Sequence, residues 1–179
     1  MPQIINNMAL TITHPMAGTP EMEKINRIYE EAFPPQERIT GIEDILSREG
    51  SHINAYYDND ALVGFLIWFD VDWFDYVLFF AVDSSSRGGG YGGQIWDEVV
   101  SQHATRPFYF SVEDPDETPA SNTEQRVKRV RFYEKHGCSL SDMTYMENPR
   151  MRMMYYHTPE RAAEVVQTLL SKLRPGTSL

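Results

Sequence analysis

The sequence contains a single cysteine, Cys138, and it has no long apolar run. One cysteine cannot form a disulfide within the chain, so the cysteine content gives no indication of secretion. No apolar segment approaches the roughly 20 residues that a membrane-spanning helix needs. Residues 1–10 also lack the basic start and the apolar stretch of a signal peptide. We therefore expect a cytoplasmic protein that does not bind to membranes.

Basic residues are scarce as well, since 16 Lys and Arg face 26 Asp and Glu and give a net charge of −10. This charge opposes general binding to nucleic acid, which requires a basic surface. The 5 histidines are scattered without metal-ligand spacing, so we expect no metal site. With 179 residues, of which 41% are hydrophobic, we expect residues 1–179 to form one domain. The sequence leaves a monomer and a homodimer equally open.

The most informative segment is rich in glycine and lies between an apolar run, residues 76–82, and a segment with helical periodicity. It consists of Arg87, Gly88, Gly89, Gly90, Tyr91, Gly92 and Gly93. Because glycine has no Cβ, several backbone N–H groups of such a loop can approach one anion. The N-terminus of the following helix adds a partial positive charge. The segment therefore predicts a site for a phosphate or pyrophosphate group.

Two well-known phosphate sites fit this segment poorly. A Walker loop ends in Lys followed by Ser or Thr, whereas Gly93 is followed by Gln94. A dinucleotide site fits the G-x-G-x-x-G spacing of the loop literally and would use Glu113, about 20 residues downstream, to bind the ribose. In that fold, however, the first glycine directly follows the first strand. Here residues 83–87 intervene and much of the sheet is predicted before the loop.

A third interpretation accounts for these differences. Residues 87–92 resemble the acyl-CoA signature of the GNAT N-acetyltransferase superfamily, [Arg/Gln]-x-x-Gly-x-[Gly/Ala]. Residues 132–137, Phe-Tyr-Glu-Lys-His-Gly, resemble a second family element at the expected distance, Phe/Leu-Tyr-Glu-Lys-x-Gly. The resemblance runs from the first strand to the strand near residues 151–156. It is weaker in the N-terminal helices, where this family usually binds the acceptor.

The periodicity of the chain predicts strands and helices in the order β-α-α-β-β-β-α-β-α-β-β-α. We expect strands near residues 8–13, 53–58, 61–70, 75–82, 107–112, 139–146 and 151–156. We expect five helices. The first begins after a Thr19 cap, the second spans residues 42–48 and the third follows the glycine loop. The fourth begins at a capping box of Ser121 and Glu124, and the last runs from Thr158-Pro159 to Leu173. The resemblance implies an α/β fold with a mixed, mostly antiparallel sheet, flanking helices and splayed fourth and fifth strands.

The resemblance also implies the cosubstrate and the reaction. Acetyl-CoA would place its pyrophosphate on residues 87–93 and its pantetheine arm between the splayed strands. Backbone groups near Ala81 and Val82 would bind the arm and polarise the thioester. A neutral amine would then attack the thioester directly, with an acid to protonate the departing thiolate and a base to take the amine proton.

Three side chains are candidates for this proton transfer. Tyr133 is the predicted acid, because a phenol with a pKa of about 10 is close to an aliphatic thiol in acidity; the alternative is a tyrosine packed in the core. Glu113, at the end of the fifth strand, is the leading base, directly or through water. Glu37 is an alternative that would line the acceptor pocket or remain a solvated charge. The acidic residues from Glu113 to Glu117 predict a negative cleft mouth that favours cationic acceptors.

Other features carry less weight. Cys138 and His136 are two positions apart at a helix end, so they point away from each other and do not predict a nucleophile and base. Arg126 and Arg129 stand where the family often has Asn and Ala, so the cofactor contacts of that helix do not transfer.

The sequence predicts an N-acetyltransferase that moves an acetyl group from acetyl-CoA to a primary amine of a small molecule or peptide. The alternative is a non-catalytic acyl-CoA-binding or regulatory domain.

Overall fold

The computed structural model describes residues 9–35, 37–38, 41–146, 149–156 and 161–173. The helices and strands follow one another in the predicted order. The strands are β1 Thr11–Thr13, β2 Ser51–Asp58, β3 Ala61–Val71, β4 Phe74–Val82, β5 Phe108–Glu113, β6 Cys138–Tyr145 and β7 Met151–Tyr156. The helices are α1 Pro20–Ala32, α2 Ile42–Leu46, α3 Tyr91–Gln102, α4 Thr123–Lys135 and α5 Ala162–Leu173. The predicted starts at Met8 and at Thr158-Pro159 lie outside the described residues.

The strands form one seven-stranded sheet in the order β1-β2-β3-β4-β5-β7-β6. Every neighbouring pair is antiparallel except β4 and β5, which are parallel. The expected mixed, mostly antiparallel sheet is therefore confirmed. A dinucleotide-binding fold has a mostly parallel sheet with helical crossovers, so this topology excludes that interpretation of the glycine loop.

The parallel pair β4–β5 separates partway along its length. Its paired positions are Asp75/Phe108, Tyr76/Tyr109 and Val77/Phe110. Beyond them, Leu78–Val82 and Ser111–Glu113 have no partner across the β4–β5 gap. The predicted splay of the fourth and fifth strands is confirmed, and we call its closed end, at Val77 and Phe110, the apex.

A β-bulge marks the point where the two strands part. In the β3–β4 pairing, Ile67 lies opposite Phe79 and Trp68 lies opposite Val77, which leaves Leu78 as an extra residue in β4. A bulge bends its strand and increases the local twist. This bend directs the second half of β4 away from β5.

Helices cover both faces of the sheet. On one face, which we call the α1/α5 face, apolar residues of α1, α2 and α5 pack against β-strand residues such as Phe79 and Met153. On the other, the α3/α4 face, Trp96 and Val130 pack against residues such as Phe110. The predicted cap of α1 is confirmed, since the Thr19 hydroxyl accepts a hydrogen bond from the Met22 amide at 3.3 Å.

Two predicted helix ends are wrong. The N-cap of α4 is Asn122 rather than Ser121, and its side chain does not cap the helix. Asn122 instead accepts a hydrogen bond from Arg126 Nε at 2.7 Å and donates to Glu113 at 3.2 Å, because these charged groups compete for its amide. Helix α2 ends at Leu46 and not at Arg48.

A buried charge cluster holds the paired ends of β4 and β5 together. Asp75 and His103 are each 4% exposed, and their Oδ2 and Nδ1 atoms are 2.6 Å apart. Arg106 Nε lies 2.7 Å from Asp75 Oδ1, and Arg106 also donates to the carbonyl oxygens of Asp72 and Phe74. These contacts fix the end of the sheet opposite the splay.

Asp75→Asn should therefore lower the free energy of unfolding by about 2 kcal/mol, because the buried carboxylate accepts hydrogen bonds that a neutral amide replaces only in part. Asp70→Asn is the matched control, since Asp70 contacts the same Arg106 at 3.8 Å but its side chain is 60% exposed. We expect it to cost less than about 1 kcal/mol. Urea unfolding of both variants measures the difference, and equal losses would contradict the role of the cluster.

Candidate active site

The glycine loop joins the end of β4 to the first turn of α3. Gly88 and Gly90 have φ values of +83° and +79°, which L side chains rarely adopt. A Cβ atom at either position would meet nothing within 4 Å, so the backbone conformation, rather than packing, requires glycine there. Gly90 is the N-cap of α3 and provides no side-chain cap for its first N–H groups. These amides are available to an anion.

A cleft of about 350 Å³ lies at this loop. It is lined by Val82, Ser86, Arg87, Gly88, Gly90, Tyr91, Gly92, Gly93 and Phe132. Most of the residues predicted to bind the cofactor thus meet at one place. Two others lie outside this lining: Gly89, and Ala81, which packs in the core of the α1/α5 face. Phe132 also lines the cleft, although the sequence predicts no cofactor contact for it, and its position directly before Tyr133 in the motif is the signal that could have indicated one.

The cleft adjoins the unpaired end of β4. Val82, which ends β4, belongs to its lining, and both Ala81 and Val82 lie on the stretch of β4 that has no partner in β5. Backbone N–H and C=O groups on that edge of β4 can therefore bind a ligand that enters the gap as an additional strand would.

Tyr133 lies beside the apex, on the α3/α4 face. Its ring centroid is 4.5 Å from that of Phe110, the last residue of β5 that pairs with β4, and 4.6 Å from that of Trp96. The residue is 9% exposed, and burial raises the pKa of Tyr133 well above its ordinary value. The phenol therefore keeps its proton over the whole range in which the protein is expected to work.

Glu113 lies at the end of β5, where the sequence placed it. Its carboxylate is bound by Arg126 Nη2 at 3.0 Å and by Arg129 Nη1 at 3.1 Å, and it also accepts a hydrogen bond from Asn122. The Glu113 side chain is 14% exposed. An amine proton would compete with these contacts for the two oxygens.

The neighbouring acidic residues are neutralised in the same way. Asp114 contacts Arg150 and Arg152, Asp116 contacts Arg152, and Glu117 contacts Arg126. Burial alone would raise the pKa of Asp114, but hydrogen bonds from the Asp116 amide, Arg150 and Arg152 lower it below its ordinary value. Four carboxylates thus face four guanidinium groups. The expected negative cleft mouth is wrong, because arginines of α4 and of the segment at β7 balance it.

Glu37 approaches the same end of β5 from the α1–α2 connection. Partial burial raises the pKa of Glu37, the charge of Glu113 raises it further, and Arg129 opposes both effects. Within the part of the chain that the structure describes, no cation forms an ion pair with Glu37. Arg38 fixes this turn by donating from Nε to the carbonyl oxygen of Phe33 at 2.6 Å.

The side chains along β5 divide between the two faces of the sheet. Along β5, Phe110 and Val112 belong to the α3/α4 core, as does Tyr133. Side chains alternate along a strand, so Ser111 is directed to the α1/α5 face. Glu113 ends the strand, and its carboxylate is held by Asn122 and by Arg126 and Arg129 of α4. The arrangement can supply a proton donor on one side of the gap and a serine hydroxyl on the other.

Other candidate chemistry is absent from the described residues. Burial raises the pKa of the Cys138 thiol to about 11, and His136 contacts Asp97 at 2.6 Å rather than this cysteine. No group of three or more His, Cys, Asp or Glu side chains in these residues is placed to hold a metal ion. No described helix is long and apolar enough to cross a membrane.

Comparisons with known proteins agree with this geometry. The sequence profile of the acetyltransferase (GNAT) family matches residues 20–138. A GNAT-family protein from Bacteroides thetaiotaomicron is 25% identical, with a TM-score of 0.77 over 91% of this chain and 97% of that one. A GNAT acetyltransferase from Elizabethkingia anophelis, solved with acetyl-CoA bound, is 15% identical, with a TM-score of 0.59 over 84% and 99% of the two chains. An aminoglycoside 6′-N-acetyltransferase complexed with coenzyme A is 17% identical, with a TM-score of 0.61 over 84% and 99%. A search of curated proteins finds no match to the sequence.

Proposed function

The chain belongs to the GNAT family of acetyltransferases, and from this premise we propose that it transfers an acetyl group from acetyl-CoA to a primary amine of a small molecule or peptide. The observation that carries the proposal is the glycine-loop cleft, whose lining includes Val82 at the end of the β4 stretch that has no partner in β5. A phosphate site next to an unpaired strand edge suits a ligand that has a charged end for the loop and an extended, amide-containing arm for the strand.

The glycine loop and the unpaired edge of β4 would bind different parts of acetyl-CoA. The amides at the start of α3 and the guanidinium of Arg87 would hold the pyrophosphate. The unpaired edge of β4, including Ala81 and Val82, would hydrogen-bond the pantetheine amides. Backbone N–H groups near the Leu78 bulge would polarise the thioester carbonyl as charge develops on its oxygen.

Tyr133 would act as the acid from the α3/α4 face. It is packed beside the apex, and its phenol remains protonated at neutral pH. As the amine nitrogen bonds to the acetyl carbon and the carbon–sulfur bond breaks, the Tyr133 hydroxyl would give its proton to the thiolate.

Two carboxylates near the end of β5 are candidates to assist loss of the amine proton. Glu113 can do so if acceptor binding opens its ion pair with Arg129, which is the more exposed of its two arginine partners. Glu37 needs no such opening. The balanced charge near Glu113 gives no preference for cationic acceptors. Support for an amine acceptor comes from the relative that acetylates an aminoglycoside nitrogen.

The test is release of free CoA thiol from acetyl-CoA in the presence of a panel of primary amines, including amino sugars, polyamines and peptides. We expect release that depends on both the protein and one class of amine. Binding of CoA in calorimetry without release of thiol for any amine would overturn the proposal and favour the non-catalytic acyl-CoA-binding domain. Binding of NAD but not of CoA would contradict both.

A further inference from the structure

Three hydroxyl groups form a continuous hydrogen-bonded chain on the α1/α5 face. The Tyr76 hydroxyl on β4 lies 2.7 Å from Ser111 Oγ on β5, and Ser111 Oγ is in turn hydrogen-bonded to the Tyr145 hydroxyl on β6. The three residues come from three different strands. None of them has a role in the proposed binding of acetyl-CoA or in the donation of a proton to sulfur.

The chain begins at the apex of the gap. Ser111 is the first residue of β5 beyond the last pair with β4, which joins Val77 to Phe110. The preceding residue, Phe110, is directed to the opposite face and contacts Tyr133 there. Ser111 and the proposed acid Tyr133 therefore flank the apex from opposite faces of the sheet.

The two ends of the chain differ in their access to solvent. Tyr76 is 8% exposed and lies in the core, and burial raises its pKa well above the ordinary value of a tyrosine. Tyr145 is only partly buried and lies at the end of β6. The inner end at Tyr76 is closed, whereas the outer end at Tyr145 opens towards solvent.

We propose that Ser111 and Tyr145 carry the proton of the acceptor amine from the apex to solvent. This relay rests on the proposed acetyl transfer. The amine nitrogen bonds to the acetyl carbon and gives one proton to Ser111 Oγ, Ser111 gives its own proton to Tyr145, and Tyr145 gives its proton to water. On the other face, the breaking carbon–sulfur bond leaves its electron pair on sulfur, which takes the Tyr133 proton. Tyr133 then regains a proton from water, so no net proton is gained or lost.

The hydrogen-bonding capacity of Ser111 suits this role. A serine hydroxyl has one donor and two acceptor lone pairs. Ser111 Oγ also lies 3.9 Å from Met153 Sδ, a weak acceptor that competes for the one Ser111 proton. When Tyr76 donates to one lone pair and Ser111 donates to Tyr145, the second lone pair is left for an acceptor N–H. Each oxygen of the relay then receives one proton as it releases another. Glu113, in contrast, already has its two oxygens bound by Arg126 and Arg129.

The test compares tyrosine-to-phenylalanine variants at both ends of the chain. Tyr145→Phe and Tyr76→Phe each remove one hydrogen bond to Ser111 and keep the ring, but only Tyr145 connects the apex to solvent. At saturating acetyl-CoA and amine, we expect Tyr145→Phe to lower kcat about 10-fold or more, and Tyr76→Phe to lower it less. Tyr155→Phe, on the same face but outside the relay, should leave kcat within about twofold. Thermal unfolding should show a larger loss of stability for Tyr76→Phe, which is the more buried of the two.

Ser111 provides a second comparison. Ser111→Ala should lower kcat about 10-fold or more, and Ser111→Thr, which keeps a hydroxyl at the same atom, should restore most of it. The affinity for CoA should not change in either variant.

Three results would each overturn the relay alone. The first is a Tyr145→Phe variant that is no slower than Tyr155→Phe, and the second is a larger loss of kcat in Tyr76→Phe than in Tyr145→Phe, in the order of their losses of stability. The third is a Ser111→Ala variant that is as active as Ser111→Thr. A wild-type protein that transfers acetyl to no amine would instead overturn the proposed function, and the relay with it.

Discussion

Replacing Tyr133 with phenylalanine should lower kcat on the order of 100-fold or more, because the change removes only the hydroxyl that protonates the departing thiolate. The affinity for CoA and the fold should change little, since the ring keeps its contacts with Trp96 and Phe110. Steady-state kinetics with the best amine of the panel measure the effect, and calorimetry measures CoA binding.

Tyr56→Phe is the matched control for this experiment. Tyr56 is fully buried in the same core cluster as Tyr133, so its variant also loses one buried hydroxyl. It should keep nearly full turnover. If both variants are equally active, Tyr133 is a core residue and the assignment of the acid is wrong.

The pH dependence provides a further check. Burial raises the folded-state pKa of Tyr133, so its hydroxyl is protonated below its ordinary pKa and loses its proton only above it. The ratio of wild-type to Tyr133→Phe turnover should therefore be the same at pH 7 and pH 9, both below the ordinary tyrosine pKa of about 10. A ratio that falls between these values would indicate that the phenol ionises there, contrary to its buried position.

Gly90→Val should weaken CoA binding on the order of 100-fold. Gly90 has a φ of +79°, and a β-branched residue is strained there by about 1–3 kcal/mol, which disfavours the conformation that holds the pyrophosphate. The new side chain would also lie at the cleft that the loop lines. Calorimetric titration with CoA measures the loss.

Gly18→Val separates strain from binding. Gly18 has a φ of +76° and, like Gly90, open space at its Cβ position, but it precedes α1 and does not line the cleft. The two variants should lose similar thermal stability, and only Gly90→Val should lose affinity for CoA. Unchanged CoA affinity in Gly90→Val would show that the loop does not hold the cofactor.

The features that were predicted correctly depend on local sequence or on a motif. The apolar periodicity and the Thr19 cap predict α1, because both depend on residues that are close in the sequence. The glycine loop was recognisable because positive φ and close anion approach demand glycine. The splay of β4 and β5 followed from the family resemblance, since no local pattern encodes where two parallel strands part.

The features that were missed depend on residues that meet only after folding. The sequence between Glu113 and Glu117 is acidic, but Arg126 comes from α4 and Arg152 from β7. Their guanidinium groups neutralise the negative charge that the sequence predicts there. The predicted cap of α4 is wrong for the same reason, since the Asn122 side chain binds Glu113 and Arg126 instead of the first N–H groups of the helix. The hydroxyl chain through Ser111 joins three strands and has no sequence signature.

The most direct test of acetyl transfer is mass spectrometry of the acceptor after incubation with acetyl-CoA and the protein. We expect one added acetyl group, located on nitrogen by fragmentation. Its formation should be fast with wild-type protein and slowed on the order of 100-fold by Tyr133→Phe. An acceptor that stays unmodified while the protein is saturated with acetyl-CoA, or an acetyl group found on oxygen, would contradict N-acetylation by this chain.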